Sequence, residues 1–191
     1  QKGIFGYGYT GSYVSITNLV NSSGVVATDT TGVGTARGNG LAATGYGGDK
    51  AIFGYGYNDS GNLSMTNLVS NSGVVATDTT GVGTVRTELA AATYGTDKAI
   101  FAYGEPSTAI SNLVSNSGVV ATDTTGVGTA RTSLAAAGYG STGQAIFGYG
   151  YSGGHVSMTN LVSNVGVISA DVTGVGTTRG RLAAASYGGD K

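Results

Sequence analysis

The chain has no cysteine, no tryptophan, one proline and one histidine among its 191 residues. Without cysteine, neither a disulfide framework nor a thiolate metal site is available. The single histidine, His155, has no second histidine or cysteine with which to bind a metal, and it offers no support for a Ser–His–Asp triad. The sequence therefore predicts a protein that is not an enzyme and has no metal or cofactor site built from side chains.

Charge is also scarce, since charged residues make up 10% of the chain and the net charge is −1. Nucleic-acid binding proteins carry clustered Lys and Arg, so we expect no nucleic-acid partner. No apolar run approaches the roughly 20 residues of a transmembrane helix, so we expect no membrane insertion. A weakly charged surface rich in Gly, Thr, Ser and Asn suits an extracellular or virion-surface protein, which is our expectation for its location.

Repetition and glycine are what the chain has in excess, with 36 glycines in all. One string, Asp-x-Thr-Gly-Val-Gly-Thr-x-Arg, marks four tandem units of roughly 48 residues. The four copies run over Asp29–Arg37, Asp78–Arg86, Asp123–Arg131 and Asp171–Arg179. No unit contains a helical i, i+3, i+4 stripe. The pattern predicts one all-β domain over residues 1–191, with Arg37, Arg86, Arg131 and Arg179 defining its repeats.

Each unit holds four short segments rich in Val, Ile, Thr, Tyr and Phe and bounded by turn residues, which indicates strands. We name them a (Leu-Ala-Ala), b (Ile-Phe-Gly-Tyr-Gly), c (Ser-x-Thr-Asn-Leu-Val) and d (Gly-Val-Val-Ala-Thr-Asp). Four strands in each of four units predict a four-bladed β-propeller of four-stranded antiparallel blades. The chain begins in strand b and finishes after strand a, so we expect the N-terminal strand b to pair with the C-terminal strand a and close a monomeric ring. Two chains joined into an eight-bladed ring are the alternative.

Residue sizes fit this arrangement. Strand a carries runs of alanine, whose small side chains let the innermost strands approach one another. Strand b carries a Phe in every unit and a Tyr two positions later. Residues two apart on a strand share a face, so we expect the Phe and Tyr of one strand to pack together against the adjacent blade.

The unit resembles a kelch repeat at strand b and at the Arg that follows strand d. Kelch blades have an apolar stretch ending in glycines, two later strands, and an Arg before the next inner strand; Ile52–Gly56 and Arg86 occupy those places. The kelch Gly-Gly pair is reduced here to one matching Gly, and the usual Trp is missing. The run at 56–63 is weakly similar to RCC1-type repeats. Both resemblances imply a β-propeller, and neither implies a particular chemistry.

The repeated Asp and Arg are open to two interpretations. As a functional ring of charge they would hold an ion or an anion. As structural turn pairs, each Asp caps the turn between strands d and a, while each Arg bridges to it or to loop carbonyls. We favour the structural role for Asp29 and Arg37, Asp78 and Arg86, Asp123 and Arg131, and Asp171 and Arg179. An ion in the central tunnel, held by backbone carbonyls, stays as an alternative.

Function is expected where the units differ, in the loops between strands b and c and between strands d and a. In an up-and-down blade both sets emerge on one face, and exposed loops on a rigid scaffold are common recognition sites. The candidate ligand-binding residues are Tyr9, Tyr13, Tyr57, Asp59, Glu105, Tyr151 and His155. The sequence thus predicts a non-enzymatic structural or recognition module for an unknown protein or glycan. The alternatives are a lectin-like propeller and a designed or consensus-like scaffold without a ligand, in which the loop differences are drift.

Overall fold

A computed structural model of the protein describes residues 2–188. Within that range every regular element is a β-strand, as predicted, and no helix is long and apolar enough to cross a membrane. Sheet 1 contains β1 (Gly3–Tyr9) and β2 (Tyr13–Val20). Sheet 2 contains β3 (Ala42–Tyr46), β4 (Lys50–Gly54) and β7 (Thr66–Val69), with a small hairpin of β5 (Tyr57–Asn58) and β6 (Gly61–Asn62) beside it. Sheet 3 contains β8 (Ala90–Tyr94), β9 (Lys98–Ala102) and β10 (Ser111–Val114), and sheet 4 contains β11 (Ala135–Tyr139), β12 (Gln144–Tyr151) and β13 (His155–Val162).

Sheets 2, 3 and 4 are three-stranded and antiparallel, in the order a, b, c that the sequence predicts. Strand b is central in each, since β4 pairs with both β3 and β7, and β9 and β12 are placed in the same way. The β-branched and aromatic residues of strand b suit this central position, because they pack on both faces of a pleated sheet. Strands a, b and c of the prediction are therefore present in these three sheets.

Strand d differs from the prediction, because it joins strand c through isolated bridges and not through a continuous ladder. In the first unit the bridges are Thr17 to Thr30 and Val20 to Val26. Between the two bridges, strand c has two residues (18–19) and segment d has three (27–29). Segment d therefore contains one extra residue, which forms a bulge. The Asn18 side chain spans this bulge, donating to the Ala27 carbonyl at 3.2 Å. The other three units repeat the same offset.

The predicted pairing of the first strand b with the last strand a is not observed in residues 2–188. β1 pairs with β2 alone, and the segment 182–187 contains no strand. That segment nevertheless follows β11: the Ser186 hydroxyl donates to the Gly138 carbonyl at 2.6 Å. Thr93 donates to Gly45 in the same way at 3.0 Å, between β8 and β3. Residues 182–187 thus lie beside β11 as β8 lies beside β3, but they do not reach β1.

Neighbouring sheets pack on one another through aromatic pairs that join different units. Tyr7 meets Phe53 with ring centroids 5.2 Å apart, and Tyr55 meets Phe101 at 5.2 Å. The expectation that the Phe and Tyr of one strand share a face is therefore wrong. Each of the four strand-b tyrosines has a left-handed φ of 63–65°, and the register shifts by one residue at this point in β1 and β12. The left-handed φ changes the backbone direction at Tyr, so Tyr lies on the opposite face from Phe, and strand b of sheets 2 and 3 contacts both neighbouring sheets.

The repeated Arg and Asp also act between units, where the sequence analysis expected pairs within a unit. Arg37 lies 3.9 Å from Asp78 of the next unit, not beside Asp29. Its guanidinium is fully buried, donates to Asn67 Oδ1 at 2.7 Å and lies 4.3 Å above the Tyr7 ring. Asp78 therefore pairs with the Arg of the preceding unit. The corresponding ion pairs are Arg86 with Asp123 and Arg131 with Asp171.

Candidate recognition surface on one rim

The two sets of variable loops lie side by side on one rim of the described structure. The loop after strand d of one unit pairs with the loop after strand b of the next, through single bridges between Gly38 and Tyr57, Thr87 and Glu105, and Thr132 and Tyr151. The amide of Tyr57 donates to the Gly38 carbonyl at 3.1 Å, and the Gly38 amide donates back at 2.9 Å. These backbone bonds hold the loops in register, so their side chains form one continuous surface.

Three tyrosines form a row at the first end of this rim. The Tyr9 and Tyr13 rings lie 5.2 Å apart edge to face, and Tyr13 lies 6.0 Å from Tyr57. Tyr9 is 62% exposed and Tyr57 is 36% exposed. Asn39 donates to the Tyr13 hydroxyl at 2.9 Å. The row offers large aromatic surfaces beside hydrogen-bonding groups, although Tyr9 and Tyr13 come from sheet 1 and Tyr57 from sheet 2.

The neighbouring groups change the pKa of the Tyr13 phenol. Desolvation raises its pKa above the usual value of 10.0, and the neighbouring Tyr57 and Asp59 raise the pKa further. The hydrogen bond from Asn39 acts in the opposite direction. Tyr13 therefore stays protonated at neutral pH and remains a hydrogen-bond donor as well as an acceptor.

A second part of the rim lies at sheet 4 and contains Tyr151 and His155. Their rings meet edge to face at 5.6 Å. They line an open cleft of about 530 Å³ together with Glu88, Ser133 and Arg181. Aromatic, acidic and basic groups thus face one open cleft.

The cleft contains residues that the sequence analysis did not select. Glu88, Ser133 and Arg181 occupy the same position in successive units, and Asn39 is the fourth member of the set. All four have left-handed φ values, of 39°, 51°, 54° and 57° in chain order. This conformation costs an L-residue roughly 1–2 kcal/mol relative to its usual backbone. Strained residues of this kind are concentrated at functional sites.

Hydrogen bonds connect this strained set into a line along the rim. The Ser133 amide donates to the Glu88 carbonyl at 3.0 Å, and the Arg181 amide donates to the Ser133 carbonyl at 2.8 Å. The Ser133 hydroxyl also donates to the Glu88 carboxylate, and Thr87 donates to the Asn39 carbonyl. These residues could have been found in the sequence, because the position two residues after the repeated Arg holds a different residue type in each unit.

The remaining predicted residues lie between these two parts. Glu105 is exposed, and its carbonyl accepts a hydrogen bond from Asn62 at 3.0 Å. Asp59 is exposed at the turn of the β5–β6 hairpin. The seven predicted residues therefore share a rim but do not form one compact pocket. Residues 2–188 contain no group of three His, Asp or Glu side chains that could hold a metal ion.

No protein-family model matches the chain, and a search of curated proteins gives no match either.

Proposed function

We propose that the protein is a non-enzymatic recognition module that binds its partner through the variable loops of this rim. The observation that carries the proposal is the coincidence of two properties. Most of the differences between the repeated units fall on the rim, and the exposed tyrosines Tyr9, Tyr57 and Tyr151 are also found there. A scaffold held by repeated interfaces of the same residue types leaves these loops free to vary without loss of the fold.

We further propose that the four sheets are blades of a β-propeller. Supporting this are the strand order a, b, c in sheets 2–4, the adjacent alanine-rich inner strands, and the same packing between each sheet and the next. Propellers arrange small antiparallel sheets in this radial manner. The four-bladed ring expected from the sequence requires β1 to join the segment 182–187. An ion in its tunnel would bind to backbone carbonyls.

A glycan is the second, more specific partner class, in a lectin-like protein exposed outside the cell or on a virion. The row of Tyr9, Tyr13 and Tyr57 favours it, because aromatic faces pack on the apolar faces of sugar rings. Asn39 and Asp59 beside the row supply an amide and a carboxylate for sugar hydroxyls. Such a site would lie between sheets 1 and 2.

A glycan array with the labelled protein tests this function. We expect Tyr57→Ala to weaken binding of any captured glycan by about tenfold, equivalent to about 1.4 kcal/mol. Val74→Ala is the control, since Val74 is 66% exposed in the turn after strand c, away from the rim. An array without signal, together with a pull-down that recovers no protein, would refute recognition and favour a scaffold without a ligand.

A further inference from the structure

The three contacts between neighbouring sheets are built from one repeated set of residues. The leading sheet supplies a Tyr, and the loop that follows it supplies a Thr and an Arg; the trailing sheet supplies a Phe, an Asn and an Asp. The aromatic pairs are Tyr7–Phe53, Tyr55–Phe101 and Tyr103–Phe147. The Arg-to-Asn hydrogen bonds are Arg37–Asn67, Arg86–Asn112 and Arg131–Asn160, at 2.6–2.7 Å. The Thr-to-Asp hydroxyl bonds are Thr35–Asp78, Thr84–Asp123 and Thr129–Asp171, at 2.6–2.8 Å.

Sheet 1 carries the trailing set of this interface without a partner in residues 2–188. We call Phe5, Asn18 and Asp29 the first face. Phe5 is 63% exposed, whereas Phe101 and Phe147 are fully buried. Asn18 already donates to Asp29 at 2.8 Å, as Asn67 does to Asp78 at 2.9 Å. The acceptors of the first face are thus arranged as in the three formed interfaces.

Sheet 4 and its following loop carry the leading set, which we call the second face: Tyr149, Thr177 and Arg179. Arg179 lies 4.2 Å above the Tyr149 ring and donates to the Thr177 carbonyl at 3.1 Å. Arg131 makes the same two contacts with Tyr103 and Thr129, at 4.2 and 3.1 Å. Arg131 is fully buried, whereas Arg179 is exposed. The second face is therefore organised for a trailing sheet that is not present in the described part of the chain.

The space around two glycines agrees with this assignment. At Gly128 an added Cβ would collide with the Asp171 carboxylate of the next sheet. At Gly176, its equivalent on the second face, an added Cβ would meet only the Tyr149 hydroxyl, at 3.8 Å. Gly176 thus keeps open the place into which an Asp fits in the three formed interfaces.

We propose that the second face of one copy binds the first face of a second copy, making the same interface a fourth time. Arg179 then donates to the Asn18 side chain of the other copy, Thr177 donates to its Asp29, and Tyr149 packs on its Phe5. The faces are complementary in charge, with an exposed cation on one and an exposed carboxylate on the other. A head-to-tail pair uses both faces of both chains and closes as a ring of two.

The described chain does not make this interface with itself, as the segment 182–187 shows. The segment lies against β11 through Ser186, where the inner strand of a following sheet belongs, yet it forms no strand with β1. Tyr187 is 79% exposed, whereas Tyr46 and Tyr94, its equivalents, are 4% and 3% exposed. β1 of a second copy completes this sheet and covers Phe5 at the same time.

Light scattering and sedimentation of the whole chain test the proposal through a charge exchange. We expect the wild type to have a mass near twice 18.7 kDa at micromolar concentration. Asp29→Lys and Arg179→Glu each place like charges across the interface, so each variant alone is expected at the monomer mass. An equimolar mixture of the two is expected to recover the doubled mass. The introduced lysine of one variant then faces the introduced glutamate of the other, while the second interface keeps its native Asp29 and Arg179.

Asp49→Lys is the matched control, since it makes the same charge change at an exposed carboxylate outside the rim and both faces, and it should leave the doubled mass unchanged. A wild type that stays at 18.7 kDa would overturn the proposal. In that case a loss of thermal stability in Asp29→Lys would identify closure within one chain, and unchanged stability would show that the faces stay apart. A doubled mass that survives both single variants would also overturn the proposal, because a different surface would then hold the copies together.

Discussion

The carboxylate of Asp123 shows how a single residue connects two neighbouring units. It accepts hydrogen bonds from the Thr84 amide at 3.0 Å and hydroxyl at 2.8 Å, and from Asn112 at 2.9 Å. Arg86 of the preceding unit lies 3.6 Å away. Charged groups in such positions are stabilising only while their partners remain, because an unpaired buried Arg is costly. The repeated Asp and Arg therefore connect each sheet to the next.

At the residue scale, we expect Gly83→Ala to be more destabilising than Gly176→Ala. Both glycines have left-handed φ, of 77° and 79°, so both substitutions carry the same backbone cost. Only at Gly83 would the new Cβ also collide with the Asp123 carboxylate and break its hydrogen bonds. The further loss in the free energy of unfolding should be about 1–3 kcal/mol.

Urea unfolding measures this difference, with both substitutions made in an Arg179→Glu background that prevents association of copies. Equal losses in the two variants would show that the Asp123 contacts contribute nothing to stability.

The same carboxylates predict how stability changes with pH. Burial alone would raise the pKa of Asp123, but hydrogen bonds from Asn112 and Thr84 and the charge of Arg86 hold the pKa below its usual value of 3.8. The pKa values of Asp78 and Asp171 are lowered by equivalent contacts. A carboxyl with a lower pKa in the folded state stabilises the fold fully above the unfolded pKa. That contribution is lost as the pH falls through the lower, folded pKa.

We therefore expect the free energy of unfolding to fall steeply below about pH 4, where these carboxyls become protonated. Asp123→Asn should lower stability at pH 7 and reduce the slope of the free energy of unfolding between about pH 4 and 2. Denaturation curves at several pH values measure both quantities. A slope equal to that of the wild type would contradict the role given to Asp123.

At the scale of the element, strand b is what couples one sheet to both of its neighbours. Its Phe and its Tyr point to opposite faces because the Tyr has a left-handed φ. Tyr55 buries its ring against Phe101, and burial raises its pKa to about 12 despite the nearby Arg86. Strand b of sheets 2 and 3 thus carries half of two interfaces.

We expect Phe101→Ala to lower the free energy of unfolding by about 3–5 kcal/mol, since it removes a fully buried ring from an interface. Phe5→Ala is the matched control, with the same residue in the same strand position but 63% exposed, and it should cost much less in the Arg179→Glu background. Chemical denaturation compares the two variants. A large loss for Phe5→Ala in that monomeric background would mean that Phe5 packs within its own chain.

The strands could largely be predicted from the sequence, whereas the interaction partners of the repeated residues could not. Strands a, b and c follow from runs such as Ala-Ile-Phe-Gly at 51–54, because composition and turn residues act locally. Whether Arg37 pairs with Asp29 or with Asp78 cannot be decided from copies that look alike. The left-handed φ of Tyr7 could not be predicted from the sequence either, because most non-Gly residues do not adopt this conformation.

The sequence led to the loops that form the candidate site but not to all of the residues that line it. Variable loops led to Tyr13, Tyr57 and His155, all of which lie on the rim. The sequence shows that Glu88 and Arg181 differ in chemistry at one repeated position, but only the stacking of successive loops brings them to the same cleft.

At the scale of the whole molecule, the structure is a row of units that contact mainly their neighbours. Stability in such arrays is approximately a sum of unit and interface contributions. The three formed interfaces use the same residue types, so each sheet can follow any other. The fold should therefore tolerate a change in the number of units.

We expect deletion of residues 87–131, which removes sheet 3 and the loop after it, to leave a folded protein. Arg86 would then meet Asn160 and Asp171 in place of Asn112 and Asp123, at chemically identical positions. The denaturant dependence of unfolding should fall by about a quarter, in proportion to the surface that unfolding exposes. Circular dichroism and urea titration measure the outcome, and a disordered spectrum would show that the interfaces are not interchangeable.

Interchangeable interfaces have a consequence for the gene as well as for the protein. Unequal recombination between near-identical repeats adds, removes or reorders whole units, and we expect the Arg–Asn and Thr–Asp contacts to form again after such an event. What changes is which loops stand side by side along the rim, such as those that place Tyr13 beside Tyr57 or Glu88 beside Ser133. A lineage that carries this repeat can thus sample new combinations of binding residues by recombination alone, without passing through sequences that fail to fold.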